Sequence, residues 1–428
     1  MIELANALSP DSQYDLQQGR RKRVIIIAYA LSPVLGSEYR SAWELTNIIA
    51  RDHDLTVLFG DSDGLMGSFE HFDTHVANNH LPFRAIKIEP SAWQVVLARK
   101  MRRMPWGLFF SGLLKTWQKK AFATALQLHL SEPFDVAHQL GPIGFRNPGY
   151  LWGLDCHTYW GPIGGAQKID TRMIKSKWSS YFLEALFRNT SLRFHAIAPF
   201  TARAARRYDR LSFATVENAE YFRKHFGREG PVISDQGLTD LVELPAPSPQ
   251  GAMIRVAWAG SLTPRKNVDL LLDVIRAAPP DIQFNVMGCG SREAEVRALA
   301  SERPNLHFKG MLPRSEVIQV LRESNVVLLT SLSEGNAAIM LEGIENDCIP
   351  IAPRINGFVS TLNDEVAFLI DQGHYHVAVT QTVRAFTELC NGATLSQMKL
   401  QLRKHRPNLS WQSLAQAHVN QYDQKQID

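Results

Sequence analysis

Eight short apolar runs rich in β-branched residues recur along the chain: RVIIIAYA (23–30), DLTVLF (54–59), FDVAH (134–138), FHAIA (194–198), IRVAWAG (254–260), IQFNVMG (282–288), NVVLLT (325–330) and CIPIA (348–352). Continuous apolar runs of this length suit strands buried on both faces of a parallel sheet. Amphipathic segments lie between several of them, such as VDLLLDVIRAA (268–278) and RSEVIQVLRES (314–324). Strand–helix alternation on this scale predicts an α/β, doubly wound architecture.

The 428 residues exceed what one core ordinarily holds. The segment ELPAPSPQGA (243–252), with three prolines and a glycine, reads as a linker, and a fresh strand follows it. The expected division is an N-terminal Rossmann-like α/β domain over 1–242, a linker over 243–252 and a C-terminal Rossmann-like α/β domain over 253–405. A last helix in 406–428 then crosses back to the first domain. The polar residues 1–20 are expected to be poorly ordered.

Composition narrows the class. Hydrophobic residues at 45% and charged residues at 21% are ordinary for a globular protein. No apolar run approaches the ~18 residues of a spanning helix. The N-terminus carries no apolar segment of the signal-peptide kind. Cys156, Cys289, Cys348 and Cys390 are scattered, which predicts a reduced, cytosolic chain and offers no close pair for a metal.

Three loops of the second half follow strands, where open α/β sheets bind ligands. AGSLTPRKNVDLLL (259–272) puts Arg265 and Lys266 at a helix start, after Gly260 and Pro264. Cations there oppose the helix dipole, and a bound phosphate would reverse the effect. MGCGS (287–291) gives Gly-x-Gly and close backbone approach, but lacks the third glycine of a nicotinamide fingerprint. TSLSEGNAAIMLEG (330–343) holds Glu334 before a helix and Glu342 within it, eight residues on. A carboxylate on an otherwise apolar helix needs partners, and vicinal sugar hydroxyls would serve.

These pieces, with HFKGMLPRSEVIQVLRESNVVLLTSLSEG (307–335) and MLEGIENDCIPIA (340–352), resemble family 4 of the retaining glycosyltransferases and its Glu-x7-Glu signature. In the first half, the Gly36-Ser37-Glu38 loop and YWGPIGG (159–165) resemble one of its subgroups. The resemblance covers about residues 23–422. It implies the two-domain GT-B fold, a nucleotide-diphosphate-sugar as co-substrate and a glycan or lipid-linked acceptor. No metal or other cofactor is implied.

The resemblance also implies roles. Arg265 and Lys266 would hold the diphosphate, Glu342 the ribose and Glu334 the donor sugar. The loop of Gly335 and the amides of Asn336, Ala337 and Ala338 would meet sugar and phosphate. Gly260 and Gly288 would give backbone clearance. Lys309, Gly310 and Met311 would meet the base, and Gly36 and Ser37 the diphosphate from the other domain. Retention would use front-side attack, with the leaving phosphate taking the acceptor's proton, so no enzymic base is expected. Departures are Gly161, where many members have histidine, and Asn336-Ala337 in place of the usual Phe-Gly. A catalytically silent binding subunit is the alternative. A GT-B epimerase would need acid/base residues that are not seen.

Other features are open. His138 and Arg146 are candidates for the acceptor side with Gly161; for His138 the competing reading is a strand-end histidine bonded to backbone. Asp61-Ser62-Asp63 spells Asp-x-Asp but reads as a turn. Residues 90–131 hold seven basic residues and no acidic one, and Trp93, Trp106, Phe109, Phe110 and Trp117 lie among them. The stretch 91–126 suits either a helix on an anionic membrane surface or a helical pair with core aromatics. Nucleic acid is not expected as a partner: the charge is local and no recognised module accompanies it.

Overall fold

The computed structural model describes residues 21–64, 66–101, 107–196, 198–239 and 253–423. The segments 1–20 and 243–252 lie outside the described residues. Two six-stranded parallel sheets organise the chain. The first contains β1 (Arg23–Ile27), β2 (Asp54–Phe59), β3 (Arg84–Lys87), β4 (Val136–Gln139), β5 (His157–Ile163) and β6 (Arg210–Phe213), in the order β3-β2-β1-β4-β5-β6. The second contains β7 (Arg255–Ala259), β8 (Gln283–Met287), β9 (Leu306–Gly310), β10 (Val326–Leu328), β11 (Ile349–Pro353) and β12 (Phe368–Ile370), in the order β12-β11-β10-β7-β8-β9. Both are the doubly wound order of a Rossmann-like domain, with its switch between the first and fourth strands.

Strand alternation explains how each sheet buries both faces. Val24 and Ile26 face one core with Leu45 and Ile49 of α1 (Glu38–Asp52). Ile25 and Ile27 face another, with Trp117 of α2 (Gly107–Ser131) and Leu192 of α3 (Ser180–Ala196). Phe222 of α4 (Val216–Phe226) joins that second core. In the second sheet, Val256 and Trp258 pack on α5 (Val268–Ala277), whereas Ala257 faces Val320 of α6 (Arg314–Arg322). Helices α7 (Ala338–Glu345) and α8 (Asn356–Thr361) follow β10 and β11. The last helix, α9 (Trp411–Val419), packs Trp411, Leu414 and Ala415 into the α1 side of the first sheet.

One expected strand is corrected. Phe194 to Ala196 of the run FHAIA are the last turn of α3, and β6 lies further on at Arg210–Phe213. Apolar residues at helical spacing through α3 (Tyr181, Ala185, Leu192) set the period there, and a short apolar run cannot override it.

The two halves touch beyond the linker. Ile169, Met173 and Tyr181, which follow β5, pack into the core of the second sheet. Lys175 pairs with Asp273 at 2.6 Å. The Asn356 amide on α8 donates to Glu217 Oε1 on α4 at 2.7 Å.

Candidate functional site

The switch between β7 and β10 opens a crevice at their C-terminal ends, facing the first domain. A cavity of about 530 Å³ lies there, bounded by Lys266, Glu334, Asn336 and Glu342 from the second domain and by Ser37 and Asp235 from the first. A second cavity of about 290 Å³ shares Ala259, Gly260, Leu312 and Val317 with it and continues to Met287, Gly288 and Met311. The first is polar and ionic. The second is lined mainly by apolar side chains and glycine backbone, as suits a flat ring.

Glu334 is the centre of the ionic part. Its side chain is 12% exposed, and Oε1 accepts from Arg265 Nη1 at 3.0 Å and from Ser331 Oγ at 3.0 Å, and from Lys266 Nζ. Burial pushes its carboxyl up, but the charges of Lys266 and then Arg265 outweigh that, and the net shift is downward. The backbone fixes this cluster. Pro264–Lys266 form a 3₁₀ turn, Thr330 Oγ1 donates to the Lys266 carbonyl at 2.6 Å, and the Leu332 amide donates to the Arg265 carbonyl at 3.0 Å. The loops after β7 and β10 therefore hold each other, and with them the cations and the carboxylate.

Asn336 stands where the loop turns into α7. It is buried, its Nδ2 donates to Asp235 Oδ1 at 2.9 Å, and its Oδ1 accepts from Thr361 Oγ1 at 2.7 Å. The contact with Asp235 crosses between the domains. Burial raises the Asp235 carboxyl, the Asn336 bond opposes this, and Glu334 adds to the rise. Glu38, in the first turn of α1, is pushed up to about 7 by burial and by Asp235. Ala337 and Ala338 open α7 onto the cavity, and no side chain caps that helix.

Glu342 lies in the second turn of α7 and lines the same cavity, with Oε1 accepting from Arg314 Nε at 2.8 Å. Gly260 borders both cavities. Gly288 has φ +131°, and a Cβ there would sit 1.9 Å from the Gly260 carbonyl oxygen, so only glycine lets the ends of the paired strands β7 and β8 approach this closely. Gly310, at φ +67°, accepts from the Gly288 amide at 2.7 Å and hangs the turn over the second cavity. Met311 lines that cavity, whereas Lys309 is exposed and does not. Gly335 lines the larger cavity, where a Cβ on it would meet Asp235 Oδ2 at 3.4 Å; Ser37 also lines that cavity, and Gly36 stands exposed outside its lining.

The acceptor-side candidates are placed differently. His138 is fully buried: Nε2 donates to the Gly161 carbonyl and Nδ1 is bonded to the Tyr422 hydroxyl, each at 2.9 Å. It holds the last turn of the chain against the sheet and does not reach the cleft, because strand alternation turns it to the α9 side. A Cβ on Gly161 would lie 2.0 Å from Ser212 Oγ, so this position is filled by core and cannot take a larger residue. Arg146 is half-buried with its guanidinium over the Phe145 ring at 5.1 Å, and desolvation followed by Arg188 lowers its pKa. Neither Arg146 nor Gly161 lines the cavity. Asp235, Glu38 and Arg314 were not anticipated. Asp235 precedes a linker and reaches the site only through the approach of the two domains, which no local pattern signals.

Within the basic stretch, Trp117 is core and its Nε1 donates to the Ile88 carbonyl at 2.7 Å, whereas Trp93 is exposed. Trp106 and the side chains of Phe109 and Phe110 lie outside what is described. Asp63 accepts from the amides of Glu70 and His71, each at 2.8 Å, which closes a turn at a helix start. No helix among the described residues is long and apolar enough to cross a membrane.

Residues 252–390 match the family model described as Glycosyl transferases group 1. No curated protein matches the chain in sequence. Among solved structures, the chain is similar to the apo form of the lipopolysaccharide outer core galactosyltransferase WaaB, with a TM-score of 0.62 at 12% identity over 93% of this chain and 98% of that one. It is similar to a sucrose-phosphate synthase from Thermosynechococcus elongatus, with a TM-score of 0.61 at 13% identity over 94% and 98%. It is also similar to Anabaena HepE in complex with UDP, with a TM-score of 0.57 at 13% identity over 93% and 98%. At these identities the likeness speaks for the fold: two Rossmann-like domains facing across a cleft, the GT-B architecture.

Proposed function

We propose that this chain is a metal-independent, retaining glycosyltransferase. It moves a sugar from a nucleotide-diphosphate-sugar to a glycan or lipid-linked acceptor, in surface polysaccharide assembly. The observation that carries this reading is the Arg265–Lys266–Glu334 cluster over the switch point of the second sheet, inside a group 1 match. The UDP held by the HepE structure makes uridine nucleotides the first donors to try.

Breaking a sugar–phosphate bond leaves an oxocarbenium-like carbon and a diphosphate that gains charge. Arg265 and Lys266 are fixed where that charge develops, so little reorganisation is needed. The Glu334 carboxylate, held ionised, faces the electron-poor sugar. The base sits in the apolar cavity under Met311, and Glu342 takes the ribose hydroxyls. The departing phosphate accepts the acceptor's proton, so no separate base is required.

A second reading is a silent binding subunit. It is favoured by Asn336, whose side chain is already spent on Asp235 and Thr361. Release of nucleoside diphosphate from a panel of nucleotide-sugars separates the two. Donor-dependent release that disappears in Lys266→Ala supports the enzyme. A panel with no release, from a sample that still binds a nucleotide, favours the silent subunit.

A further inference from the structure

Three cations gather on the first domain without a carboxylate to meet them. Arg146 follows β4, on the C-terminal side of the first sheet, while Arg188 lies in α3 and Lys115 in α2. All three residues are half-buried. Among the described residues none of them is in an ion pair, and no side-chain nitrogen of the three makes a hydrogen bond. Arg146 Nε is buried with no partner. The Arg146 guanidinium lies over the Phe145 ring at 5.1 Å and the Lys115 ammonium over the Phe200 ring at 5.2 Å. A ring face offsets part of a cation's lost hydration and does not replace an anion.

The cations act on one another. Burial and then the charge of Arg188 lower the Arg146 pKa. The Tyr221 hydroxyl opposes this, and it already donates to the Leu192 carbonyl at 2.7 Å. The His195 ring stands 6.0 Å from that of Phe145. Burial lowers its pKa, its bond to the Ser191 carbonyl opposes, and Arg146 and Lys115 lower it further. Glu184, one turn before Arg188 on α3, is exposed and does not pair with it. Like charges held half-buried together are unfavourable, and a ligand with several anionic oxygens reverses the sign.

The cluster adjoins the donor cleft. Burial raises the pKa of the Tyr181 hydroxyl, and Arg188, Glu184, Arg265 and Glu334 then act on it in that order. Arg188 thus acts both on Arg146 and on a side chain within reach of the donor cations. A neutral glycan would leave the three charges unmet. A carboxylate brings one charge, whereas a phosphate brings up to two and three oxygens for the arginine forks.

We infer that Arg146, Arg188 and Lys115 form an anion subsite for a phosphate group carried by the acceptor, whether a sugar phosphate or a lipid-linked phosphate. Its service to an acceptor rests on the glycosyltransferase reading; the binding of phosphate does not.

The test is calorimetry on the full-length chain at fixed ionic strength, with saturating uridine diphosphate present to occupy the donor cations. The probes are inorganic phosphate, glucose 1-phosphate, farnesyl diphosphate and glucuronate. Phosphate should bind wild type, and about tenfold more weakly both Arg188→Gln and Lys115→Gln. Neither variant should lose melting temperature, because each removes a cation from a like-charged cluster. Whichever of glucose 1-phosphate and farnesyl diphosphate binds more tightly, and weakens in the same variants, names the source of the phosphate. An unchanged Kd in both variants overturns the inference, as does glucuronate binding more tightly than phosphate. So does phosphate that uridine diphosphate displaces and Lys266→Ala loses, which would put it on the donor cations alone. Where uridine diphosphate itself fails to bind, the donor reading fails separately: phosphate retained by Lys266→Ala and lost by Arg188→Gln still supports the subsite.

Discussion

Lys266 and Glu334 form an ion pair at the floor of the interdomain cleft, with side chains 13% and 12% exposed. Arg265 shares the same carboxylate oxygen. Glu334 therefore competes with any diphosphate for the two cations. The variant Glu334→Gln keeps the shape and removes the competitor. Free nucleoside diphosphate should bind it about tenfold more tightly, a gain of roughly 1.4 kcal/mol, while sugar transfer falls by about 10²-fold or more. Calorimetry with nucleoside diphosphates and a turnover assay read the two effects. Weaker diphosphate binding in the variant would show that the phosphates do not use these cations.

Glu342 is held by Arg314 in the absence of ligand and lines the same cavity. If it takes the ribose, its loss should abolish nucleotide binding without harming the fold. Wild type at a ligand concentration of 100 times Kd gains roughly 2.7 kcal/mol, a visible rise in melting temperature. Glu342→Ala should melt near the wild-type temperature alone and show no rise with the same nucleotide. A retained rise would remove Glu342 from the ribose site.

Two glycines should respond in opposite ways. Gly288 has φ +131° and a Cβ would meet the Gly260 carbonyl oxygen at 1.9 Å, whereas a Cβ on Gly36 meets nothing within 4 Å. Gly288→Ala should cost about 2–3 kcal/mol and pry apart the strand ends that border both cavities. Gly36→Ala should stay within about 0.5 kcal/mol of wild type. Urea denaturation of both variants checks this, and equal stability would mean that the close approach of the β7 and β8 ends tolerates a side chain.

Most of the interior of each sheet is legible in the sequence and its rims are opaque. Runs such as RVIII and DLTVLF announce β1 and β2 because a strand flanked on both sides and covered on both faces must be apolar throughout. The strands that no apolar run flagged are the four sheet edges, β3, β6, β9 and β12, and the interior β5, whose HTYWGPI is interrupted by polar residues and a Gly-Pro. Sequences such as RAIK and LHFKG carry the charges with which edges resist pairing, and so lose the strand signal. The site shows the same split. Glu334, Arg265 and Lys266 lie close together because each follows a strand end of one domain, and strand ends can be read. Asp235 comes from the other domain, and its bond to Asn336 depends on how the two bodies meet. Of the two readings of His138, the strand-end histidine bonded to backbone is the one observed: it bonds the Gly161 carbonyl, and the pleat turns it toward Tyr422.

The burial of His138 bears on acid stability. His138 is buried, and burial lowers its pKa to about 4, opposed by its bond to the Gly161 carbonyl. His418, beside it on α9, is also lowered, first by burial and then by His138. A histidine lowered in the folded state binds its proton more readily when unfolded. Its contribution is fully present above the ordinary 6.5 and is lost as pH falls toward 4. For His138, a fall from 6.5 to about 4 corresponds to about 3 kcal/mol. The difference in urea midpoint between wild type and His138→Gln should be level from pH 8 to about pH 7 and narrow steeply from about pH 6 to 4, whereas the raised Glu38 carboxyl acts with the opposite sign in both proteins alike. His138→Gln should be less stable at neutral pH and show a shallower decline. A decline of equal slope in the variant would place the acid sensitivity elsewhere than the seam between α9 and the first sheet.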